Sequence, residues 1–170
     1  DLAIVRSVEG NDRLECPGGT LLAQGTGDLS DVRVSHDGRH IAYFEHPLRY
    51  DDRGVLMVVD RKGGTTFRSP AFARLEGIAW SKDDREVVFG GIKDQHQLTI
   101  FAASLSGVVR EALSAPGNLI ALDVASDGRW IVALEDRHRE LRGQGPGAAS
   151  ELSLSWFDNS RPAAISGDGR

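Results

Sequence analysis

The sequence is poor in the residues that several common kinds of site require. It has a single cysteine, Cys16, which excludes an internal disulfide and a cysteine-rich zinc site. It carries 20 Lys and Arg against 25 Asp and Glu, and the net charge of −5 lacks the basic excess of proteins that bind nucleic acid or anionic membranes. No apolar run approaches the roughly 18 residues of a membrane span. We therefore predict no nucleic-acid partner and no direct membrane insertion.

Motifs for catalysis and cofactor binding are missing as well. No serine lies in a Gly-x-Ser-x-Gly elbow, and no histidines have the spacing of metal ligands. The glycine-rich segment 143–147 lacks the Lys-Ser or Lys-Thr ending of a phosphate-binding loop. Kinase signatures such as a His-Arg-Asp loop do not occur. The sequence predicts no catalytic residue, no metal and no cofactor, so any kinase or hydrolase activity would lie in a domain outside this chain.

What the sequence does contain is a repeat. In each copy an apolar residue is followed by a polar turn with Asp, then by Arg and a second apolar run. The copies lie at residues 34–39, 80–85, 124–129 and 165–170. Their aspartates are Asp37, Asp83, Asp127 and Asp168, at steps of 46, 44 and 41 residues. A period of about 40–45 residues is typical of a four-stranded propeller blade.

The runs between these turns read as short strands rather than helices. The pattern predicts an all-β fold: a β-propeller of four-stranded antiparallel blades, with about four repeat units forming part of a larger propeller. Residues 31–70, 71–113 and 118–157 are each expected to form a four-stranded sheet, with no helix longer than two turns. The predicted units cover residues 1–27, 28–70, 71–116, 117–161 and, for the start of a further unit, 162–170. The tryptophans are expected on strands, packed between blades: Trp80, Trp130 and Trp156.

The repeated aspartates allow two interpretations. They could ring a channel and hold a cation, or each could fix its own turn by bonds from the side chain to the backbone. We favour the second, because identical placement in every unit is typical of a scaffold, whereas a functional site usually breaks the repeat. In the second copy Asp84 takes the position of the turn glycine. Aspartate tolerates the left-handed conformation better than most residues.

The ends of the chain also fit the repeat. The last unit stops after its first strand, near 163–166, and its turn, while the first unit begins with a second strand near 2–6. Unpaired strand edges favour association, so we predict a route to self-association through open blade edges. The two strands could pair within one chain, between two copies, or with further blades of a longer parent. We favour the third arrangement.

These residues resemble the repeat of TolB-type, WD-like propellers over nearly the whole chain. The matching segments are Ser35–Arg39, Ile41–Phe44 and Val58–Gly64. A narrower resemblance, to the C-terminal propellers of bacterial serine/threonine protein kinases, rests on residues 12–15, 32–35, 46–54 and 154–158. It implies a sensor or binding domain of a bacterial signalling protein. It favours the periplasm, with a membrane-tethered parent, and leaves the cytoplasm as the alternative.

One loop is the candidate binding site. It lies between the second and third strands of a blade and is dense in polar residues: His46, Arg49, Tyr50, Asp51, Asp52 and Arg53. Binding residues favour loops that a rigid scaffold presents. The plainer interpretation is a solvated insertion whose charges pair with each other, Asp51 or Asp52 with Arg49 or Arg53.

Three functions are compatible with the sequence. The first is a non-catalytic binding or sensor module whose loop face contacts a protein, a peptide or a ligand of the cell envelope. The second is an accessory propeller that gates substrate to a hydrolase domain outside this chain, as in enzymes similar to prolyl oligopeptidase. The third is an assembly scaffold. Fold class alone does not separate them.

Overall fold

The structure is a computed structural model of the chain. It describes residues 2–25, 27–94, 97–136, 138–145, 147–157, 160–164 and 167. The chain divides into two compact units, Asp1–Glu135 and Asp136–Arg170. All regular structure in the described residues is β-strand, as predicted. A helix long and apolar enough to cross a membrane does not occur in this part of the chain.

The strands are short and follow one another without helices between them. Those of the first unit are β1 (Ile4–Val8), β2 (Asn11–Glu15), β3 (Leu21–Gly25), β4 (Leu29–Val34), β5 (His40–Glu45), β6 (Val55–Asp60), β7 (Thr65–Arg68), β8 (Arg74–Trp80), β9 (Glu86–Ile92), β10 (Thr99–Ser104), β11 (Val109–Leu113), β12 (Asn118–Val124) and β13 (Trp130–Glu135). The second unit has β14 (Arg142–Gly143) and β15 (Leu152–Ser153).

The strands pair with their sequence neighbours in antiparallel sheets. The first blade is the three-stranded sheet β1-β2-β3, the second blade is β4-β5-β6-β7, and the third blade is β8-β9-β10-β11. Strands β12 and β13 form a two-stranded sheet. The four-stranded sheets predicted for 31–70 and 71–113 are therefore confirmed.

The prediction for residues 118–157 is wrong. Among the described residues β12 pairs only with β13, and β14 pairs only with β15. The sequence explains part of this, because charged residues flank the single leucine of residues 140–142, where a third strand of this sheet would lie. The next strand is also exposed, with Leu152 62% accessible. These strands bury little apolar surface, so burial does little to stabilise a longer ladder.

The second blade buries both of its faces. Ile41 and Tyr43 of β5 belong to an apolar cluster with Leu14 of the first blade. Ala42 and Phe44 point the other way, into a cluster with residues of the third blade. That second cluster contains edge-to-face aromatic pairs, in which the ring centroids of Phe72 lie 5.2 Å from Phe89 and 5.0 Å from Phe101. Full burial of such side chains contributes about 1.5–3 kcal/mol each.

The first strand of each of three successive sheets carries a bulge. The register shifts between Ser30 and Arg33 in β4, at Gly77 in β8 and at Leu122 in β12. Two of these bulges touch, since the N–H of Gly77 donates to Oδ1 of Asp31 at 3.2 Å. Gly77 has a φ of 74°. A Cβ at this position would lie 2.3 Å from the carbonyl oxygen of Ala121, so β8 and β12 approach too closely here for a side chain.

The tryptophans follow the prediction only in part. Trp80 is buried, 3% exposed, and its Nε1 donates to the carbonyl oxygen of Arg33 in the neighbouring blade at 3.1 Å. Trp130 begins β13 and is 37% exposed. Trp156 follows β15 instead of lying on a strand and is 87% exposed. The expectation of a strand at Trp156 is wrong because the alternation of leucine and serine over 152–155 is typical of a half-buried strand, whereas β15 covers only Leu152–Ser153.

The chain ends bear on the predicted self-association. β1 is an edge strand of the first blade. Residues 165, 166 and 168–170 lie outside the described residues, and with them part of the predicted strand at 163–166 and the turn at Asp168. Association through open blade edges stays a prediction.

Candidate functional site

The turn aspartates bond to their own hairpins. Oδ1 of Asp37 accepts hydrogen bonds from the hydroxyl of Ser35 at 2.7 Å and from the N–H of Arg39 at 2.9 Å. The N–H of Arg39 and the Ser35 hydroxyl hold the pKa of Asp37 below its usual value. The same bonds recur in the other described turns, from Ser81 and Arg85 to Asp83 and from the N–H of Arg129 to Asp127.

Each of these carboxylates thus accepts hydrogen bonds from its own turn. In the part of the chain that the structure describes, no three His, Cys, Asp or Glu side chains are grouped to hold a metal ion. Asp168 lies outside the described residues.

The candidate loop, residues 46–53, connects β5 to β6 of the second blade. Its first residue, His46, is buried, with only 7% exposed. Nδ1 of His46 lies 2.9 Å from the carbonyl oxygen of Arg53, and Nε2 lies 2.9 Å from Oγ of Ser30. Because a carbonyl only accepts, Nδ1 carries the hydrogen, and Nε2 forms the second bond with the Ser30 hydroxyl. The His46 ring thus ties the two ends of the loop together and to β4.

Arg49 connects the loop to the first blade. Its Nη2 donates to Oδ1 of Asp12 at 2.9 Å and to Oγ of Ser7 at 3.1 Å. Its Nε lies 3.7 Å from Oδ1 of Asp28. Asp12 is itself buried and also accepts the N–H of Leu29 at 3.1 Å. Arg49 therefore positions the loop and is paired outside it.

Asp51 and Arg53 pair with each other inside the loop. Nη2 of Arg53 donates to Oδ2 of Asp51 at 2.6 Å, and the backbone N–H of Arg53 donates to Oδ1 at 3.1 Å. These bonds from Arg53 hold the pKa of Asp51 below its usual value. Asp52 is exposed, and its carbonyl oxygen accepts the N–H of Leu75 from the third blade at 3.2 Å.

The tip of the loop presents apolar surface to solvent. Tyr50 is 90% exposed and Leu48 is 60% exposed. Tyr50 has a left-handed φ of 61°, and its N–H donates to Oδ2 of Asp28 at 2.5 Å. Asp28, just before β4, thus holds the backbone of the tip, while the side chain of Tyr50 stays mostly exposed and bonds to Arg49.

Clefts lie on both sides of His46. The acidic cleft, of about 340 Å³, is lined by Asp28, Asp51, Asp52 and Glu76 together with Arg74. The Arg68 cleft, of about 520 Å³, is lined by Arg53, Arg68, Leu48, Gly54, Val55 and Phe72. Glu45 also lines it.

Sequence reasoning missed the residues that hold and flank the loop. Asp12 and Asp28 anchor Arg49 from outside the repeat motif, and Arg68 and Phe72 reach the cleft from the far edge of the blade. The only local signal was the density of charge within the loop. The partners could not be assigned without knowing which blade edges lie side by side.

Comparison with known proteins identifies the fold. No protein-family model and no curated protein matches the sequence. The solved TolB of Acinetobacter baumannii matches with a TM-score of 0.56 and 17% identity, over 86% of this chain and 37% of that chain. A structure from a study of two prolyl endopeptidases matches with a TM-score of 0.56 and 17% identity, over 89% of this chain and 29% of that chain. The chain has the fold of a TolB-like β-propeller and spans about a third of the length of both structures.

Proposed function

We propose that the chain is a non-catalytic binding module whose 46–53 loop recognises a protein or peptide partner. The observation that carries this proposal is the contrast between the two parts of the loop. His46 and Arg49 are fixed by bonds to β4 and to the first blade. Leu48 and Tyr50, between and beside them, are mostly exposed.

A loop held in this way lowers the entropy lost on binding. A flexible loop must be ordered when it meets its partner, and each immobilised side chain costs about 0.5–1.5 kcal/mol. Here the backbone of the loop is already fixed in the free protein. Tyrosine is also a frequent anchor residue, because its ring supplies a large apolar area at low conformational cost.

A peptide-display experiment tests this function. We expect wild-type protein to enrich peptides from a random library that lose at least tenfold in affinity when Leu48 and Tyr50 are both changed to Ala. The matched control changes two apolar residues of the third blade, Val108 and Leu113, which are 60% and 41% exposed. The proposal fails if no peptide is enriched or if the enriched peptides bind both double variants equally well.

The wider context of the module has two candidates. We infer a larger bacterial signalling protein from the resemblance to kinase-associated propellers. The alternative, an accessory propeller that gates a hydrolase, is supported by the similarity to the prolyl endopeptidase structure. The remainder of the parent gene distinguishes them: an upstream kinase with a membrane span supports the first, and an α/β-hydrolase nucleophile elbow supports the second.

A pure scaffold would show neither kind of recognition. For a scaffold, changes at Leu48 and Tyr50 would leave every measured interaction intact, whereas changes at the blade edges would alter assembly. The display experiment therefore also separates the binding module from the scaffold.

A further inference from the structure

Arg68 is a cation without a counterion in the described structure. It is the last residue of β7 and is exposed. Its guanidinium makes no hydrogen bond or ion pair with any other described residue. An arginine presents a planar fork of donors that fits a carboxylate with two parallel hydrogen bonds.

A second guanidinium lines the same cleft. The side chain of Arg53 is 63% exposed and is engaged by Asp51, which does not line this cleft. Glu45 is the only carboxylate among the lining residues that are described. The described lining residues thus include two guanidinium groups and one carboxylate, and Asp51 neutralises the Arg53 charge from outside the cleft.

The surface of the cleft beside these arginines is apolar and rigid. Phe72 and Val55 are 3% and 5% exposed. Gly54 and Phe72 exchange two backbone hydrogen bonds of 3.1 and 2.9 Å, which join the start of β6 to the segment before β8. A Cβ at Gly54 would lie 2.7 Å from the carbonyl oxygen of Glu45, so no side chain fills this part of the cleft. Leu48 adds an exposed apolar wall.

We propose that the Arg68 cleft binds an acidic side chain that is flanked by apolar residues in a partner peptide. The proposal rests on the function proposed for the loop and names the chemistry that it recognises. Charge complementarity selects the acid, because Arg68 lacks a partner and Arg53 has unused donors. The apolar lining selects the neighbours of the acid, since burying them removes apolar area from water.

The cationic groups of the cleft favour an acidic side chain over a chain end. Recognition of a C-terminal carboxylate typically uses consecutive backbone N–H groups, whereas acidic motifs are recognised by clustered arginines. The backbone N–H groups of Gly54 and Phe72 are already bonded to each other's carbonyls. The acidic cleft, on the other side of His46, would repel an acidic side chain. Such a side chain therefore binds favourably only in the Arg68 cleft.

Blocked model peptides test the proposal. The probe is acetyl-Ala-Leu-Asp-Leu-Ala-amide, in which the aspartate carries the only charge, and binding is followed by NMR shifts of the backbone amides of Leu48 and Gly54. We expect the affinity for this peptide to exceed that for its Asn analogue by at least tenfold and to fall with added salt. Arg68→Gln should remove the difference between the two peptides. Arg39→Gln, at an exposed turn arginine elsewhere in the same blade, should leave it intact.

Further arms separate the alternatives. Glu45→Gln should strengthen binding of the aspartate peptide, because it removes the carboxylate that competes for the arginines. Equal binding of the Asp and Asn peptides, tighter binding of a Lys analogue, or tighter binding of an uncharged peptide with a free C-terminus would overturn the proposal. Display peptides that need Leu48 and Tyr50 but ignore Arg68→Gln would overturn it while leaving the proposed function standing. If no peptide needs the loop, both fail.

Discussion

Asp84 holds His36 across the boundary between two blades. Oδ1 of Asp84 accepts the backbone N–H of His36 at 2.9 Å and its ring Nδ1 at 2.7 Å. The other oxygen accepts the N–H of Asp37 at 2.8 Å. Asp84 belongs to the hairpin turn of the third blade and His36 to that of the second. Asp84, which takes the position of the turn glycine at a φ of 56°, thus links two neighbouring blades by hydrogen bonds.

Replacing Asp84 measures this bond. Asp84→Gly relieves the left-handed backbone but removes three hydrogen bonds, so we expect the free energy of unfolding to fall by about 1–2 kcal/mol in urea denaturation. The control is Glu9→Gly, which changes another left-handed residue, with a φ of 52°, that makes no such bond. It should be neutral or slightly stabilising. Equal effects of the two substitutions would contradict the role assigned to Asp84.

The same bond could be introduced one blade further along. A Cβ at Gly128 would lie 3.5 Å from Cδ and 3.8 Å from Nζ of Lys82, the residue that corresponds to His36 in the third blade. Gly128→Asp and Gly128→Ala both strain the φ of 89°. We expect the Asp variant to be more stable than the Ala variant by about 1 kcal/mol in urea. An Ala variant as stable as the Asp variant would show that the bond depends on features particular to the Asp84 turn.

The bulge in β8 predicts a large effect of one methyl group. Gly77→Ala places a Cβ 2.3 Å from the carbonyl oxygen of Ala121 at a positive φ, so β8 and β12 must separate. Gly107→Ala is the control, since its φ is 105° and no atom lies within 4 Å of its Cβ position. The control should lose about 1–2 kcal/mol, the strain of a left-handed alanine. Gly77→Ala should lose clearly more, as measured by thermal and urea denaturation, and a loss no larger than the control's would argue against the close approach.

The hairpins could be predicted because each is specified by residues adjacent in sequence. Gly38 and Gly128 take the left-handed conformation in the repeated turn, and Asp84 does so in their place. The apolar runs after these turns form β5, β9 and β13. The β14–β15 region departed from the prediction because its strands have little apolar surface to bury, a property that the repeat spacing does not report.

The surroundings of the candidate loop could not be predicted. The bond from His46 to Ser30 spans 16 residues, and the bond from Arg49 to Asp12 spans 37. The first bond joins the loop to another strand of its own blade, and the second depends on how the first blade lies against the second. No local sequence pattern specifies either bond. The sequence predicted charge pairs inside the loop, and the structure confirms one of them, between Asp51 and Arg53. Nothing in the sequence indicated that Arg49 is used as an anchor to another blade.

Tyr43 predicts a loss of stability at high pH. Burial, together with the charge of Glu45, raises the pKa of Tyr43 from 10.0 to about 12. A phenol whose pKa is raised by folding contributes its full stability below pH 10, and this contribution is lost as the pH rises from 10 through 12. Tyr43→Phe should remove this part of the alkaline loss of stability. Denaturant titrations between pH 8 and 12 check it, and identical profiles for the two proteins would exclude the effect.

The bonds of Arg49 are expected to keep the candidate loop structurally ordered. Arg49→Gln removes the guanidinium that reaches Asp12, Asp28 and Ser7, so the loop loses its link to the first blade. We expect chymotrypsin to cleave at Tyr50 several-fold faster in this variant under native conditions, because local opening exposes the backbone. Arg39→Gln is the control and should leave cleavage unchanged. Faster cleavage in both variants would point to general loosening of the blade.

The double burial of β5 has a consequence for how the protein reaches its native state. Its four central residues are all buried, so a slip of one position would exchange two apolar faces without exposing either to water. The turn before β5 and the turn after β6 resist this slip. In the first, Asp37 accepts the N–H of Arg39, and in the second, Asp60 accepts the N–H groups of Lys62 and Gly64. A chain with a damaged turn can then collapse into a mispaired hairpin that is compact and slow to correct. Substitutions at these aspartates should reduce the yield of native protein on refolding more than they lower the stability of the molecules that fold.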